Sequence, residues 1–157
     1  MNVNIVLFND FETLDIFGPL EILGKVQEYD IHYYSQNGGM ITSRQKTQII
    51  TEDIDLADKK GILVIPGGQG TRELVNDESF LNMLKVIAEE SGFCLSICTG
   101  SALLAKANVL NGKSATSNKQ AFEWVKSIND TVNWVQKARW VVDGKYYTSS
   151  GVSAGID

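Results

Sequence analysis

The chain has 157 residues, 43% of them hydrophobic and 21% charged, which is typical of one globular domain spanning residues 1–157. A formal net charge of -5 with scattered Lys and Arg argues against a nucleic-acid surface, and no apolar run reaches the length of a membrane span. The N-terminus lacks the basic start and apolar core of a signal peptide. We therefore expect a cytoplasmic protein whose two cysteines, Cys94 and Cys98, are reduced.

The first half of the chain alternates apolar strand-like runs with one helical segment. The pattern predicts strands over residues 4–8, 29–35 and 61–65, one or two short strands within 40–51, and a helix over 13–26 that bends at Gly18-Pro19. The run at 61–65 is apolar throughout, which indicates a strand buried on both faces of a sheet.

The second half continues the alternation. It predicts a helix over residues 74–90 with a cap at Asn76 or Asp77, a strand over 93–97, helices over 101–110 and 121–128, and a hairpin of strands 138–142 and 145–148 around Asp143-Gly144. Residues 148–157 indicate a strand, a glycine turn and the start of a helix. We therefore expect the C-terminal helix of the fold to be missing from this chain.

Buried strands that alternate with helices predict an α/β fold with a doubly wound, mostly parallel sheet between helices. Ligands in such folds bind outside the carboxyl ends of the strands. Residues 9–11, the Gly67-Gly68 loop and Cys98 all follow predicted strands. These three segments are therefore candidates to form one pocket.

Cys98 lies where an apolar strand gives way to Thr99-Gly100-Ser101 and a helix-forming run. A tight strand-to-helix corner of this kind exposes the nucleophile in many α/β enzymes. The N-terminus of the following helix would lower the pKa of the thiol below its free value of about 8.5. The alternative interpretation is a small buried apolar side chain, which is what most free cysteines are.

A nucleophile also needs a proton donor or acceptor and hydrogen-bond donors at the developing charge. The backbone N–H groups of Gly68, Thr99 and Gly100 are candidate donors, although the glycine-rich turn at 66–70 could be only a tight turn. Asp15 lies among apolar residues that would raise its pKa, and its alternative role is a helix cap.

Other catalytic and metal-binding arrangements fit the sequence poorly. The single histidine, His32, lies on the second predicted strand and no histidine follows Cys98, which argues against a Cys-His hydrolytic pair. Two cysteines and one histidine do not provide a metal site, so we expect neither a metal nor an organic cofactor.

Four segments together resemble the ThiJ/PfpI superfamily, whose flavodoxin-like fold is related to that of class I glutamine amidotransferases. They are Leu14-Asp15-Ile16-Phe17-Gly18-Pro19, Ile65-Pro66-Gly67-Gly68-Gln69-Gly70, Ser96-Ile97-Cys98-Thr99-Gly100-Ser101 and Ser150-Gly151-Val152-Ser153-Ala154-Gly155-Ile156-Asp157. Within the superfamily the chain is most similar to isocyanide (isonitrile) hydratases, in which threonine follows the cysteine and an aspartate precedes proline by four residues.

The resemblance implies a hydro-lyase in which Cys98 attacks the terminal carbon of an isonitrile, Asp15 protonates that carbon, and water releases an N-substituted formamide. Thr99 would hold the acid or the water, and Gly67, Gly68 and Gly100 would form the substrate-binding loop. In one departure from the hydratases, Asn118 stands where they usually have histidine. This difference puts the substrate in doubt more than the nucleophile.

The resemblance leaves two alternatives open. One is glyoxalase-type or deglycase chemistry on small carbonyls, against which the aspartate at position 15 and the lack of a histidine after Cys98 count. The other is a non-catalytic sensor or stress-response domain with an oxidisable Cys98. Because members of the superfamily are usually homodimers, we also expect a homodimer. The apolar residues Phe17, Leu20 and Leu23 would suit its interface, and they would suit the core equally well.

Overall fold

The computed structural model describes residues 1–157 and shows an eight-stranded mixed sheet with helices packed against it. Its strands are β1 (Asn2–Val6), β2 (Asp30–Ser35), β3 (Gly39–Thr42), β4 (Gln48–Asp53), β5 (Ile62–Ile65), β6 (Phe93–Ile97), β9 (Trp140–Asp143) and β10 (Tyr146–Ser149), and a separate pair consists of β7 (Ser114–Ala115) and β8 (Asn133–Trp134). The order in the large sheet is β3-β4-β2-β1-β5-β6-β10-β9. Only β3 and β9, at the two edges, run antiparallel to their neighbours.

The helices are α1 (Thr13–Leu23), α2 (Thr71–Leu74), α3 (Glu78–Glu90), α4 (Gly100–Lys106) and α5 (Phe122–Ile128). Helix α4 packs against α2, α3 and α5, whereas α1 packs against a 3₁₀ turn over Ser153–Gly155 near the end of the chain. The predicted α/β fold with a mostly parallel sheet is therefore confirmed.

The core lies around β1, β5 and β6, at the centre of the sheet. All four residues of β5 are buried, which explains why this strand has no polar residue. The loops that follow β1, β5 and β6 leave the sheet at the same edge, because parallel strands end on the same side. The predicted convergence of these three loops is thus a direct consequence of the strand order.

Several element boundaries differ from the prediction for local reasons. The helix predicted over residues 74–90 begins at Glu78, and the predicted cap at Asp77 is confirmed, because the Asp77 carboxylate accepts from the Phe80 amide at 3.0 Å. Leu74 belongs instead to the separate, four-residue α2. Helix α4 ends at Lys106 rather than at residue 110, and Asn108 just beyond it adopts a left-handed backbone with φ of 63°. The predicted hairpin is present, with its turn at Gly144 and Lys145.

One end of the sheet is covered incompletely. An apolar groove of about 310 Å³ lies between α1, the C-terminal 3₁₀ turn and strands β6, β10 and β9. Its lining includes Leu23, Leu95 and Tyr147, and on β9 Trp140 and Val142 are exposed. None of Cys98, Asp15 and Thr99 lines this groove.

None of the five α-helices combines the length and the apolar character that crossing a lipid bilayer requires.

Candidate active site

Cys98 occupies a strained turn between β6 and α4. Its backbone is left-handed, with φ of 57°, a conformation that costs a non-glycine residue about 1–2 kcal/mol. The Cys98 N–H donates to the Ser149 carbonyl at 3.1 Å, and the Cys98 carbonyl accepts from the hydroxyls of Ser117 at 3.0 Å and Ser101 at 3.3 Å. These three bonds hold the turn and present the sulfur at the end of the strand.

Two glycines make room for this turn. A Cβ atom on Gly67 would lie 2.8 Å from Cys98 Cβ and 2.7 Å from Thr99 Oγ1, and one on Gly151 would lie 2.9 Å from Cys98 Cα. Gly100 likewise allows α4 to begin against the end of β5, since its Cβ would lie 2.7 Å from the Ile65 carbonyl oxygen. Close packing of backbones therefore requires glycine at all three positions, and Gly151 is one that the sequence interpretation did not single out.

Asp15 is fully buried in the first turn of α1 and reaches the same site. Its Oδ2 atom accepts a hydrogen bond from the Gly67 amide at 2.9 Å, whereas its Oδ1 atom has no well-aligned partner. Burial raises the pKa of Asp15 to about 7, the Gly67 amide opposes this, the Glu12 charge adds to it, and the Cys98 thiol nearby lowers it slightly. Asp15 can therefore hold or release a proton near neutral pH.

The loop after β1 is joined to the loop after β5 by backbone contacts. Phe11 forms an isolated bridge with Gly68, and the Glu12 amide donates to the Gly67 carbonyl at 2.9 Å. These contacts bring Asp15 next to Gly67, 52 residues away in sequence. The predicted convergence of residues 9–11, Gly67-Gly68 and Cys98 is confirmed at the level of backbone geometry.

The Thr99 hydroxyl is tied to the Gly68 loop. Its Oγ1 atom accepts from the Gly68 amide at 3.0 Å and from the Thr71 hydroxyl at 3.1 Å, and the Thr71 hydroxyl also donates to the Gly68 carbonyl at 2.8 Å. The Gly67 and Gly68 amides are thus already used by Asp15 and Thr99. A substrate would have to displace Thr99 before the Gly68 amide could bind it, whereas the Thr99 amide is directed at the Cys98 sulfur.

The pKa of Cys98 moves in the opposite direction from the prediction. Burial, followed by the Asp15 charge, raises the pKa of Cys98 to about 12, although the Thr99 amide and the side chains of Asn118 and Thr99 lower it. The expectation of a lowered pKa is therefore wrong for the resting site. It overlooked that Cys98 is only 7% exposed and lies beside a carboxylate, and that α4 has only seven residues with which to build a helix dipole.

Two further residues at the thiol come from the loop between β7 and α5. The Ser117 hydroxyl donates to the Cys98 carbonyl, and the Asn118 side chain lowers the pKa of the Cys98 thiol. The sequence marked Asn118 only as a departure from the hydratases, and nothing marked Ser117. The Ser-Asn pair before a helix was the available signal, because both residue types bond to nearby backbone.

The single histidine lies away from this site. His32 lies on β2, which β1 and β5 separate from β6, and its Nε2 atom is 3.1 Å from the Asp30 carboxylate. No three or more His, Cys, Asp or Glu side chains come together in a way that could hold a metal ion.

Comparisons with known proteins find relatives over the whole length of the chain. The DJ-1/PfpI family pattern matches residues 1–157. The chain is 29% identical to an isonitrile hydratase of Pseudomonas putida, over 100% of this chain and 68% of that protein, and 31% identical to a deglycase of Pyrococcus abyssi, over 95% and 89%.

Among solved structures, a ThiJ/PfpI family protein from Pseudomonas syringae superimposes with a TM-score of 0.88 at 23% identity. That match covers 99% of this chain but only 64% of the Pseudomonas syringae protein, so about a third of that protein has no counterpart here. The family pattern matches the whole chain, and the structure has a mostly parallel sheet with a strand-to-helix turn at Cys98. This chain therefore belongs to the DJ-1/PfpI family.

Proposed function

We propose that this protein is a cysteine-dependent enzyme that hydrates isonitriles to N-substituted formamides. The observation that carries the proposal is the pair formed by a fully buried Asp15, with a pKa of about 7, and the Cys98 thiol on its strained turn. A terminal isonitrile carbon must receive both a nucleophile and a proton, and this pair can supply the two from adjacent positions. The isonitrile hydratase similarity supports the same reaction.

The first half of the reaction moves one proton from sulfur to carbon. The ionised Asp15 carboxylate accepts the Cys98 proton as the sulfur attacks the terminal carbon, and the resulting carboxylic acid then donates that proton to the same carbon. The product is a thioimidate in which carbon is bonded to sulfur, hydrogen and nitrogen. Asp15 is again a carboxylate at the end of this half.

The second half adds water to the thioimidate. Asp15 accepts a proton from the attacking water and passes that same proton to the nitrogen, so that carbon carries a hydroxyl group, the sulfur and an N–H substituent and Asp15 is again a carboxylate. The C–S bond then breaks, the formamide leaves, and the hydroxyl proton returns to sulfur by way of Asp15. One isonitrile and one water are consumed for each formamide, and both residues are restored.

Other candidate residues take supporting roles in this proposal. The Thr99 amide faces the sulfur and stabilises negative charge there, while the Thr99 hydroxyl fixes the Gly68 loop. The Gly67 amide holds the Asp15 carboxylate by one oxygen and leaves the other oxygen available to the substrate. Gly100 lets the helix start close to the strand ends that form the floor of the site.

Deglycase-type chemistry on small carbonyls is the second candidate. Its support is that the chain aligns with 89% of the length of the Pyrococcus abyssi deglycase at 31% identity. Cys98 would add to the carbonyl carbon, and Asp15 would protonate the oxygen rather than the carbon. A sensor role for Cys98 has no observation of its own in its favour, since a thiol whose pKa is raised is a slow target for oxidants.

Turnover of isonitriles tests the proposal directly. Purified protein is incubated with an alkyl and an aryl isonitrile, and formamide is measured by proton NMR alongside methylglyoxal consumption. Cys98→Ala and Asp15→Asn should abolish formamide production. Cys94→Ala is the matched control, because Cys94 is an equally buried cysteine on β6. Formamide formation that survives Cys98→Ala would refute the mechanism, and carbonyl consumption without formamide would favour the second candidate.

A further inference from the structure

The amide group of Asn118 is held in one orientation near Cys98. The residue is half-buried, in the loop that precedes α5. Its Oδ1 atom accepts hydrogen bonds from the backbone amides of Gln120 at 3.0 Å and Ala121 at 3.1 Å. Because an amide side chain accepts through oxygen and donates through nitrogen, these two bonds leave Nδ2 as the end that is free to donate elsewhere.

The loop that carries Asn118 is fastened to the turn at Cys98. The Ser117 hydroxyl, from the neighbouring residue, donates to the Cys98 carbonyl at 3.0 Å. This bond holds Asn118 beside Cys98 with its Nδ2 end uncommitted. In agreement with this placement, the Asn118 side chain favours the ionised thiol and lowers the pKa of Cys98.

We propose that Asn118 is a positioning residue for Cys98. The Nδ2 group of Asn118 donates a hydrogen bond to the sulfur and stabilises the sulfur when it is negatively charged. The sulfur then has two donors, the Thr99 amide from α4 and the Asn118 amide from the β7–α5 loop. Asn118 is neutral at every working pH, so it adds no ionisation to the Asp15–Cys98 pair. The effect of Asn118 on turnover rests on the function proposed above, whereas its effect on the thiol does not.

The reactivity of the thiol toward iodoacetamide provides the test. Asn118→Ser and Asn118→Asp keep an oxygen that can accept from the Gln120 and Ala121 amides but lack the Nδ2 donor. Rates are measured as a function of pH in a Cys94→Ala background, so that Cys98 is the one thiol that reacts. Asn129→Ser is the matched control, because Asn129 accepts from a backbone amide in the same way at the other end of α5.

We expect Asn118→Ser to slow alkylation about three- to fourfold at every pH below the thiol pKa. Loss of one hydrogen bond to a charged group raises the pKa by about one unit, and the greater intrinsic nucleophilicity of a more basic thiolate recovers roughly half of that effect on a logarithmic scale. Asn118→Asp should slow the reaction further, since it places a second carboxylate beside the sulfur. Asn129→Ser should lower thermal stability without changing the rate.

Parental alkylation rates in folded Asn118→Ser and Asn118→Asp would overturn the proposal, whether or not the protein hydrates isonitriles. Slower alkylation in both variants would support it, even if the parent protein forms no formamide. When the parent is active, Asn118→Ser should also lower kcat more than it raises KM. This readout separates a donor to the reacting sulfur from a residue that only shapes the entrance.

Discussion

Replacing Asp15 with asparagine should stabilise the protein at neutral and alkaline pH while changing its stability little in acid. Asp15 is fully buried, with one oxygen bonded to the Gly67 amide and the other without a well-aligned partner. A protonated carboxyl fits this environment, and an ionised one does not. Asparagine resembles the protonated form, so the substitution removes the penalty of the buried charge.

The size of the effect follows from the pKa of Asp15, which rises from 3.8 in the unfolded chain to about 7 in the folded protein. The folded state therefore binds more protons than the unfolded state between these two pH values, and stability falls as pH rises through this interval. At about 1.4 kcal/mol per factor of ten, the full loss is about 4 kcal/mol, of which about 3 kcal/mol accumulates between pH 5 and pH 8.

Thermal and urea unfolding across this pH range measure the difference. The advantage of Asp15→Asn over the parent should grow by about 3 kcal/mol from pH 5 to pH 8, or roughly 6–12 °C in Tm for a domain of this size. Glu21→Gln is the control, because Glu21 is an exposed carboxylate on the same helix. If the free energies of unfolding of Asp15→Asn and the parent differ by the same amount at pH 5 and pH 8, the pKa of Asp15 is not raised and the proton-transfer argument fails.

Three other predictions rest on separate features. The kcat/KM for isonitriles should rise with pH through an inflection near 7 and then level off, because the reactive state holds one proton shared between Asp15 and Cys98. A kcat/KM that falls above pH 7 would contradict this expectation. Gly144 and Gly151 have almost the same φ, 61° and 60°, yet only Gly151 is crowded by Cys98. Gly144→Ala should therefore lower the free energy of unfolding by about 1–2 kcal/mol, whereas Gly151→Ala should lower it further and also slow alkylation of Cys98. Equal effects of the two substitutions would refute the packing argument. Phe17 is exposed on α1, and Phe17→Glu should halve the mass measured by light scattering if the proposed homodimer uses this helix; an unchanged dimer would place the interface elsewhere.

Local patterns in the sequence were sufficient for most strands and helices. The uninterrupted apolar run of β5, the largely apolar run of β6 and the glycine turn between β9 and β10 are each specified within a few residues. The four-residue α2 was harder, because so short a helix shows no apolar periodicity, although the predicted cap at Asp77 marks the start of α3. Strand order was beyond reach, because it depends on which apolar faces pair over long separations.

The candidate site likewise combines features that local sequence shows with features that depend on how distant segments pack. The turn at Cys98 is visible in the sequence as a strand followed by Thr-Gly-Ser, and the apolar neighbours of Asp15 correctly indicated a raised pKa. That the two meet depends on β1 and β6 being separated in the sheet by β5 alone, which no spacing in the chain reveals. The raised pKa of Cys98 was missed because burial of the thiol, its main cause, and the nearby Asp15 carboxylate both depend on how separate elements pack.

The hydrogen bond from the Cys98 amide to the Ser149 carbonyl has a consequence for how the protein matures. Ser149 belongs to β10, which lies about 50 residues after Cys98, so the left-handed turn receives this support only after a long loop has closed. During synthesis the cysteine leaves the ribosome well before its acceptor does. The nascent chain thus carries Cys98 as an ordinary thiol, and the site is assembled only when β10 docks beside β6.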